Sequence, residues 1–290
     1  MQYIIRFLFT FLGYFPLPIL HILGNILGDI LYLSSPRMRQ ITATNLSNSE
    51  IISDCNKIKS FTRKVIKETV KTSLELTIAL TRHPEYISSL FKYTQGRQYL
   101  TKALQEQKGI LLMTPHLGSF DLAGRYLSEI IPSPVTGIFK PPKQKSLVHI
   151  MEHGRERNNA KVATADKKGV RKIYKSLKNK EAVILLPDQV PENGEGIMAT
   201  FFNYPAYTMT LAAKLANKPN IIPLFFIGER LPYGKGFVLH IFPLKKPLTS
   251  DIRHNTQLIN DQIETLIKQF PEQYLFSYNR YKIPSGCENK

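Results

Sequence analysis

The sequence predicts an α/β fold with a mostly parallel central sheet flanked by helices, together with an N-terminal hydrophobic membrane anchor. Short apolar runs of strand length alternate with longer amphipathic segments, which is typical of parallel strands joined by helical crossovers. Residues 1–35 are strongly apolar, and a basic segment follows them. We therefore predict an anchor over 1–35 and one cytoplasmic domain over 36–290.

The anchor rests on residues 7–28, which carry no formal charge when His21 is neutral. A bilayer is crossed by about 20 apolar residues. Pro16 and Pro18 divide the run, so a transmembrane span, an interfacial helical hairpin and a buried core hairpin all remain open. A cleaved signal peptide is disfavoured, because the run is long and no small-x-small motif follows it. The positive-inside rule places the following basic residues in the cytoplasm: Arg37, Arg39, Lys57, Lys59, Arg63, Lys64, Lys67 and Lys71.

The rest of the chain follows from periodicity. Apolar residues at helical spacing with lysines on the opposite face predict a helix over 53–82. Ile110–Met113 is a buried strand between predicted helices at 97–107 and 120–130. The later elements are predicted as a basic helix at 167–177, a strand at 182–186, a helix at 208–216, a strand at 221–227, a hairpin into a strand at 237–242 and a helix at 255–270.

Composition narrows the class of protein. The 290 residues include 39 Lys and Arg against 22 Asp and Glu, a net charge of +17, and 43% of them are hydrophobic. A chain of this length can bury a large core without disulfides, and its two cysteines, Cys55 and Cys287, indicate a reducing compartment. The charge predicts an anionic partner, which could be a membrane surface, an acidic protein or substrate, or a nucleic acid.

The candidate chemistry lies at the ends of the predicted strands, where open α/β sheets bind ligands. His116 and Asp121 form an H-x4-D motif after Ile110–Met113. With His116 in the turn, Ser119 as N-cap and Asp121 in the first helical turn, the carboxylate would hold one imidazole nitrogen while the other faces a substrate. A purely structural histidine is the alternative.

Three further features need weighing. Asp188 follows the strand at 182–186 and is either a turn cap or a functional group. Arg155 and Arg157 end an apolar helix, and arginine suits bidentate phosphate binding. The H-x-x-E-H string at 149–153 matches a zinc peptidase helix, but no downstream carboxylate stands in an evident ligand context, so we expect no metal.

Several strings together resemble one family over nearly the whole chain. The sequence is similar to the late acyltransferases of lipid A biosynthesis, the lauroyl and myristoyl transferases. The matching strings are TPHLGSFD at 114–121, FKPP at 139–142, EHGRER at 152–157, LPDQVP at 186–191, GEG at 194–196, FF at 201–202, PAYTMT at 205–210 and PEQY at 271–274.

The resemblance implies a glycerolipid-acyltransferase-like fold and acyl transfer from an acyl carrier protein thioester to a hydroxyl of a Kdo-linked lipid A precursor, without a cofactor. His116 would be the general base, with Asp121 orienting it. Arg155 or Arg157 would stabilise a phosphate or an oxyanion, Asp188 would be positional, and the implied substrate-binding residues also include Lys140 and Arg280.

Two departures from the family limit this transfer of roles. The motif acid is Asp121 where many members carry Glu, and residues 276–281 replace a Trp and a His-Arg-Arg segment. An acceptor such as a lysophospholipid or a glycosylated phosphatidylinositol therefore remains open, as does a non-catalytic basic membrane-surface protein. A nucleic-acid binder is disfavoured because it would have no use for His116. The length of the acyl chain, the hydroxyl acylated and the oligomeric state are left open.

Overall fold

The computed structural model describes residues 2–52, 54–141 and 145–284. An N-terminal group of helices comes first. Pro16 and Pro18 lie at the start of α2, where the missing N–H groups cost no helical hydrogen bond. The bounds are α1 Gln2–Gly13, α2 Leu17–Ser34, α3 Pro36–Asn48, α4 Cys55–Thr81 and α5 Pro84–Leu90.

Strands and helices then alternate to build a seven-stranded sheet in the order β1-β9-β8-β2-β5-β3-β4. All of its pairings are parallel except β8 with β9. A separate hairpin consists of β6 and β7. The strands are β1 Phe91–Gln95, β2 Gly109–Met113, β3 Val135–Phe139, β4 Ala160–Thr164, β5 Ala182–Leu185, β6 Gly196–Phe201, β7 Tyr204–Met209, β8 Ile221–Arg230 and β9 Phe237–Pro243.

The remaining helices cover the two faces of this sheet, which confirms the predicted α/β class with a mostly parallel sheet. Strand β2 is buried at every position, as expected for a central parallel strand between two helical layers. The helices are α6 Arg97–Gln105, α7 Phe120–Ile130, α8 Lys145–Arg155, α9 Lys167–Lys178, α10 Leu211–Ala216 and α11 Ile252–Gln269.

One predicted helix begins later than expected. The sequence predicts helix from Thr208, but Tyr204–Met209 pairs with Gly196–Phe201 as strand β7, and α10 starts only at Leu211. Tyrosine, threonine and proline favour the edge of a hairpin over a helix start, and Asn203 supplies the left-handed turn residue between the two strands (φ 65°).

Helix α2 is packed lengthwise on α4. A Cβ added to Gly24 or Gly28 would lie 2.7 Å from atoms of Lys71 and Lys67 respectively, so only glycine permits this approach. Asp29 accepts a hydrogen bond from Arg63 at 2.6 Å. By length and composition α2 could cross a membrane. Its outer face and that of α1 are exposed and apolar, as is Tyr14 between the two helices. The exposed residues of the two helices are Phe7, Leu8, Phe11, Ile19, Ile22, Ile26, Leu27, Ile30 and Leu33.

Candidate active site

The turn between β2 and α7 is held from two sides. The backbone N–H of Gly118 donates to Gln273 O at 3.0 Å, and that of Ser119 donates to Gly228 O at 2.8 Å. Gly118 has φ +64°, and a Cβ there would lie 2.2 Å from Gly228 O, so the position requires glycine. These contacts fix His116 at the carboxyl end of the central strand.

Asp188 from the end of β5 holds the His116 imidazole. Its Oδ1 lies 2.8 Å from His116 Nδ1, and its Oδ2 accepts the His116 backbone N–H at 2.8 Å. A carboxylate only accepts, so the proton belongs on Nδ1 and the lone pair on Nε2. The Gln189 amide nitrogen lies 3.1 Å from Nε2 and donates to that lone pair. In the neutral ring, Nε2 is therefore the nitrogen that can accept a proton.

Asp121 makes a different contact from the one that the spacing predicts. Its Oδ1 accepts from Arg155 NH2 at 2.7 Å. The hydrogen bond expected between Asp121 and the imidazole is made by Asp188 instead, because β2 and β5 are adjacent and end at the same edge. Ser119 occupies the N-cap position of α7, but its side chain makes no capping hydrogen bond.

Opposing effects set the protonation of this site. Burial lowers the pKa of His116, but the charge and hydrogen bond of Asp188 and the charge of Asp121 outweigh it, so the pKa is raised. Burial raises the pKa of Asp188, yet the contacts with His116 bring it below its ordinary value. Burial beside Asp188 raises the pKa of Tyr274 well above the ordinary phenol value, which keeps that hydroxyl protonated.

His116, Asp121, Arg155 and Gln189 open into one cavity of about 900 Å³. That volume is typical of sites for sizeable organic ligands, about 300–1,000 Å³. Much of the wall is apolar, and basic side chains lie around it, including Lys140, Lys161, Lys167, Arg171 and Lys214. The Lys140 ammonium lies 3.3 Å from Glu192 in an exposed ion pair.

The two other predicted arginines lie elsewhere. Arg157 donates to the carbonyl oxygens of Gly154 and Ala79, both at 3.0 Å, so its guanidinium joins α8 to α4. Arg280 is buried and donates to Tyr207 O at 2.9 Å and Thr208 Oγ1 at 2.7 Å. Neither side chain lines the cavity, in contrast to Arg155.

Two contributors to the site had no role assigned from the sequence. Gln189 contacts Nε2 of the His116 imidazole, and Tyr274 lies beside Asp188. The position of Gln189 next to Asp188, just after a predicted strand, could have pointed to the first. The position of Tyr274 follows from long-range packing, because its segment bridges to Leu117.

The H-x-x-E-H motif at 149–153 cannot be compared in full, because the side chain of His149 lies outside the described part of the structure. Pro142 and Cys287 also lie outside it. Among the described residues, no group of three or more His, Cys, Asp and Glu side chains could hold a metal ion.

The fold and site together define an α/β protein with a carboxylate-held histidine facing a large, partly apolar cavity with a basic rim. Residues 1–283 match the family model described as "Bacterial lipid A biosynthesis acyltransferase", and the chain belongs to that family.

Two relatives from Escherichia coli K12 illustrate the similarity. The chain is 26% identical over 198 residues to a lipid A biosynthesis lauroyltransferase, covering 67% of this chain and 63% of the relative. It is 25% identical over 190 residues to a lipid A biosynthesis palmitoleoyltransferase, covering 65% of this chain and 60% of the relative. The chain thus spans somewhat less than two thirds of the length of these relatives.

Proposed function

We propose that this protein transfers a fatty acyl chain from an acyl carrier protein thioester to a hydroxyl of a Kdo-linked lipid A precursor. The observation that carries the proposal is His116, held through Nδ1 by Asp188 while Nε2 faces the cavity. The assignment to lipid A biosynthesis is proposed from the names of the relatives. The geometry supplies the base and a space large enough for lipid.

The chemistry is a direct transfer. Nε2 of His116 takes the proton of the acceptor hydroxyl as its oxygen attacks the thioester carbonyl. A carbon–oxygen bond forms, the carbon–sulfur bond breaks, and the departing thiolate regains a proton from the imidazolium. Asp188 holds the ring and stabilises its positive charge during the step. Since the thioester is already activated, no acyl-enzyme is required.

Arg155 and Asp121 form the second part of this mechanism. One guanidinium nitrogen of Arg155 is occupied by Asp121, and the side chain lines the cavity with about a quarter of its surface exposed (24%). The remaining donors can face a phosphate or the developing oxyanion. Asp121 thereby positions Arg155, and its charge also favours the imidazolium form of His116.

The exposed face of α9 fits the carrier protein. Ile173 and Leu177 are buried against the sheet, whereas the lysines and arginine on the opposite side are exposed. Lys167 and Arg171 also line the cavity, so the basic face is continuous with its rim. An acidic carrier docked there would deliver its thioester near His116.

The exposed apolar faces of α1 and α2 fit attachment to the cytoplasmic side of the inner membrane. Crossing the bilayer would strip α2 from α4 and break the Asp29–Arg63 pair and the buried hydrogen bond between His21 and Glu75 at 2.7 Å. An interfacial position keeps both contacts and immerses only the outer face. We therefore favour interfacial docking over a span, with anionic lipid meeting the basic residues beside these helices.

The function is tested with the purified full chain, acyl carrier protein thioesters and a panel of acceptors containing a Kdo-linked lipid A precursor and a lysophospholipid. His116→Ala should lose about 10²- to 10⁴-fold in turnover. Asp121→Asn should lose less, because Asp188 still holds the imidazole. Near wild-type turnover in His116→Ala would exclude the mechanism. If acyl chains were transferred only to the lysophospholipid, the acceptor would be a lysophospholipid and not the lipid A precursor.

Membrane attachment is tested by Ile22→Ser combined with Ile26→Ser, both on the outer face of α2. We expect release from vesicles containing anionic lipid with acyl transfer to a detergent-dispersed acceptor retained. Met198→Ser, another exposed apolar residue on the β6 strand, is the matched control. Unchanged vesicle binding in the double variant would contradict interfacial docking.

A further inference from the structure

A deep part of the cavity lies between α7 and one face of the sheet. On α7, Phe120, Gly124 and Ser128 recur every four residues and line it together. On β3 the odd-numbered residues face α7, since Val135 belongs to the same apolar cluster as Leu127 of α7. Thr136, on the opposite face, contacts Ser176 of α9 at 3.2 Å. We call the space bounded by Gly124, Ser128, Val135, Gly137 and Ile184 the deep slot.

Gly137 leaves space at the centre of the slot. Glycine in the middle of a strand is unfavourable, because it adds backbone entropy to the unfolded chain and provides no side chain to pack. A Cβ added to Gly137 would meet no atom within 4 Å, so the missing side chain leaves empty space. At Gly124 the helix α7 lies close to the sheet, because a Cβ there would lie 3.3 Å from Ile184 Cδ1, and this contact bounds the slot. Ile184 is the register partner of Gly137 on β5, so both glycines face the same space.

The slot starts at the reactive histidine. The Phe120 ring packs edge-on against the His116 imidazole, with ring centroids 4.9 Å apart. From Phe120 to Ser128 the helix advances about 12 Å at ~1.5 Å per residue. Strand β3 has a similar length from Phe139 to Val135, about 13 Å at ~3.3 Å per residue. The slot therefore extends about 12 Å along α7 and β3, away from His116.

The far end is closed by polar contacts. Arg125 is 5% exposed, lies 3.0 Å from Glu129 and donates to Arg157 O at 2.9 Å. The Ser128 hydroxyl is already used, since it donates to Arg125 O at 2.7 Å. A hydrocarbon chain longer than the slot would have to disturb these buried charges, which is unfavourable.

We propose that the deep slot binds one unbranched fatty acyl chain, and that Gly137, with Gly124 opposite, sets the longest chain accepted. Apolar walls favour burial of each methylene group, whereas the polar floor penalises any carbon beyond its depth. The inference rests on the proposed acyl transfer. The chain could belong to the donor or to the acceptor, because both sources present the same hydrocarbon to the slot.

The test is a graded series, Gly137→Ala, Gly137→Val and Gly137→Leu. We expect the preferred chain to become shorter as the side chain grows, with the longest chains losing about 10- to 200-fold in kcat/KM, the range for methylene-scale discrimination in an apolar pocket. The shortest chains should stay near wild-type. The variants should also keep their melting temperature, because the new Cβ meets no atom and valine favours a strand.

Two arms identify the source of the chain. In the first, donors of graded length are used with one acceptor. In the second, acceptors of graded length are used with one donor. A shift in either arm assigns the slot to that substrate, and Thr136→Val on the opposite face of β3 is the matched control that should shift neither. Unchanged length preference in both arms for folded Gly137→Leu would overturn the proposal.

A direct binding measurement separates this inference from the proposed function. Titration calorimetry with decanoate, laurate, myristate and palmitate needs no turnover. If wild-type protein transferred no acyl group, the proposed function would fail, while loss of long-chain binding in Gly137→Leu would still support the slot. Equal binding of all four acids by wild-type and Gly137→Leu would contradict it.

Discussion

Two buried clusters in this molecule use the same residue types for different ends. The active-site cluster contains His116, Asp188, Asp121 and Arg155, and a core cluster contains His21, Glu75, Glu68 and Arg230. Each has an imidazole bound to a carboxylate, at 2.8 Å for His116 with Asp188 and 2.7 Å for His21 with Glu75. Each also has an arginine–carboxylate pair.

The difference lies in how much of each cluster is exposed. Arg230 has a side chain 2% exposed and directs its donors to Glu75, Glu68 and Thr72, so the core cluster is closed. It joins α4 to β8, and His21 adds α2. In the active-site cluster, 24% of the Arg155 side chain and 15% of the His116 side chain are exposed to the cavity. Exposure to the cavity therefore distinguishes the candidate site from the core cluster, whose charged groups are enclosed by the protein.

Among the variants of the two clusters, Asp188→Asn should cause the largest loss of acyl transfer. Loss of the carboxylate removes the support of the imidazolium, and we expect acyl transfer per folded molecule to fall about 10²- to 10⁴-fold. Removal of that charge leaves burial as the dominant effect, so the pKa of His116 should also fall. The acid limb of kcat/KM, which reports deprotonation of the base, should then move to lower pH.

The matched variant for this experiment is Asp121→Asn. Asp121 acts on His116 only through its charge, so the acid limb should move less than in Asp188→Asn. A larger displacement in Asp121→Asn would mean that Asp121, and not Asp188, holds the base during turnover.

Glu75→Gln should have the opposite profile. The neutral amide leaves Arg230 buried with less compensating charge, and breaking such a pair costs about 3–5 kcal/mol of unfolding free energy. Denaturant unfolding measures this loss. Residual folded enzyme should transfer acyl chains normally per active molecule, and an unchanged unfolding free energy would show that the core cluster does not hold the helices together.

The sequence predicted β2, β5, β8 and β9 of the seven-stranded sheet and missed the edge strands β1 and β4 and the interior strand β3. Strands β2 and β5 are continuous apolar runs, and burial on both faces explains why composition alone identifies them. Strands β1 and β4 lie at the two edges and mix apolar with polar residues such as Lys161, so their pattern was not distinctive. The hairpin of β6 and β7 was missed, because the end of β7 at Thr208–Met209 was assigned to the helix predicted over 208–216.

The same limit applies to the candidate site. His116 and Asp188 were both located at strand ends, but their contact requires β2 and β5 to be neighbours, which is a property of strand order. The H-x4-D spacing favoured Asp121 because it is close in sequence. Nothing local indicated that Arg155, 34 residues further along the chain, would bind that carboxylate.

Acid should weaken the core cluster over a defined range. Burial raises the pKa of Glu75, but the charge and hydrogen bonds of Arg230 outweigh it and lower the value to about 2, from 4.5. A lowered pKa means that the unfolded chain binds protons first, so this stabilisation is present above pH 4.5 and is lost as the pH falls toward 2. The shift corresponds to about 3 kcal/mol.

The measurement is unfolding free energy against pH for wild-type and Glu75→Gln. Their difference should shrink from pH 5 to pH 2. A difference that stays constant over this range would assign the acid sensitivity to other carboxylates, of which Asp29, with a pKa lowered to about 2 by Arg63, is the first to examine.

The smallest expected effect is that of a substitution at Gln189, whose side chain covers His116 Nε2 in the active-site cluster. Its amide donates to His116 Nε2 at 3.1 Å, in the place that an acceptor hydroxyl must take. Without that amide, water can reach Nε2 when no acceptor is bound. A neutral hydrogen bond contributes about 0.5–1.5 kcal/mol, so Gln189→Ala should raise thioester hydrolysis about 2- to 10-fold.

The double variant Gln189→Ala with His116→Ala supplies the control, because hydrolysis that depends on an uncovered base must disappear with the base. If hydrolysis rises equally in the double variant, the gain comes from a loosened loop after β5. If it does not rise in Gln189→Ala at all, the amide does not shield Nε2, and the histidine is protected from water by the apolar wall that Phe120 forms beside it.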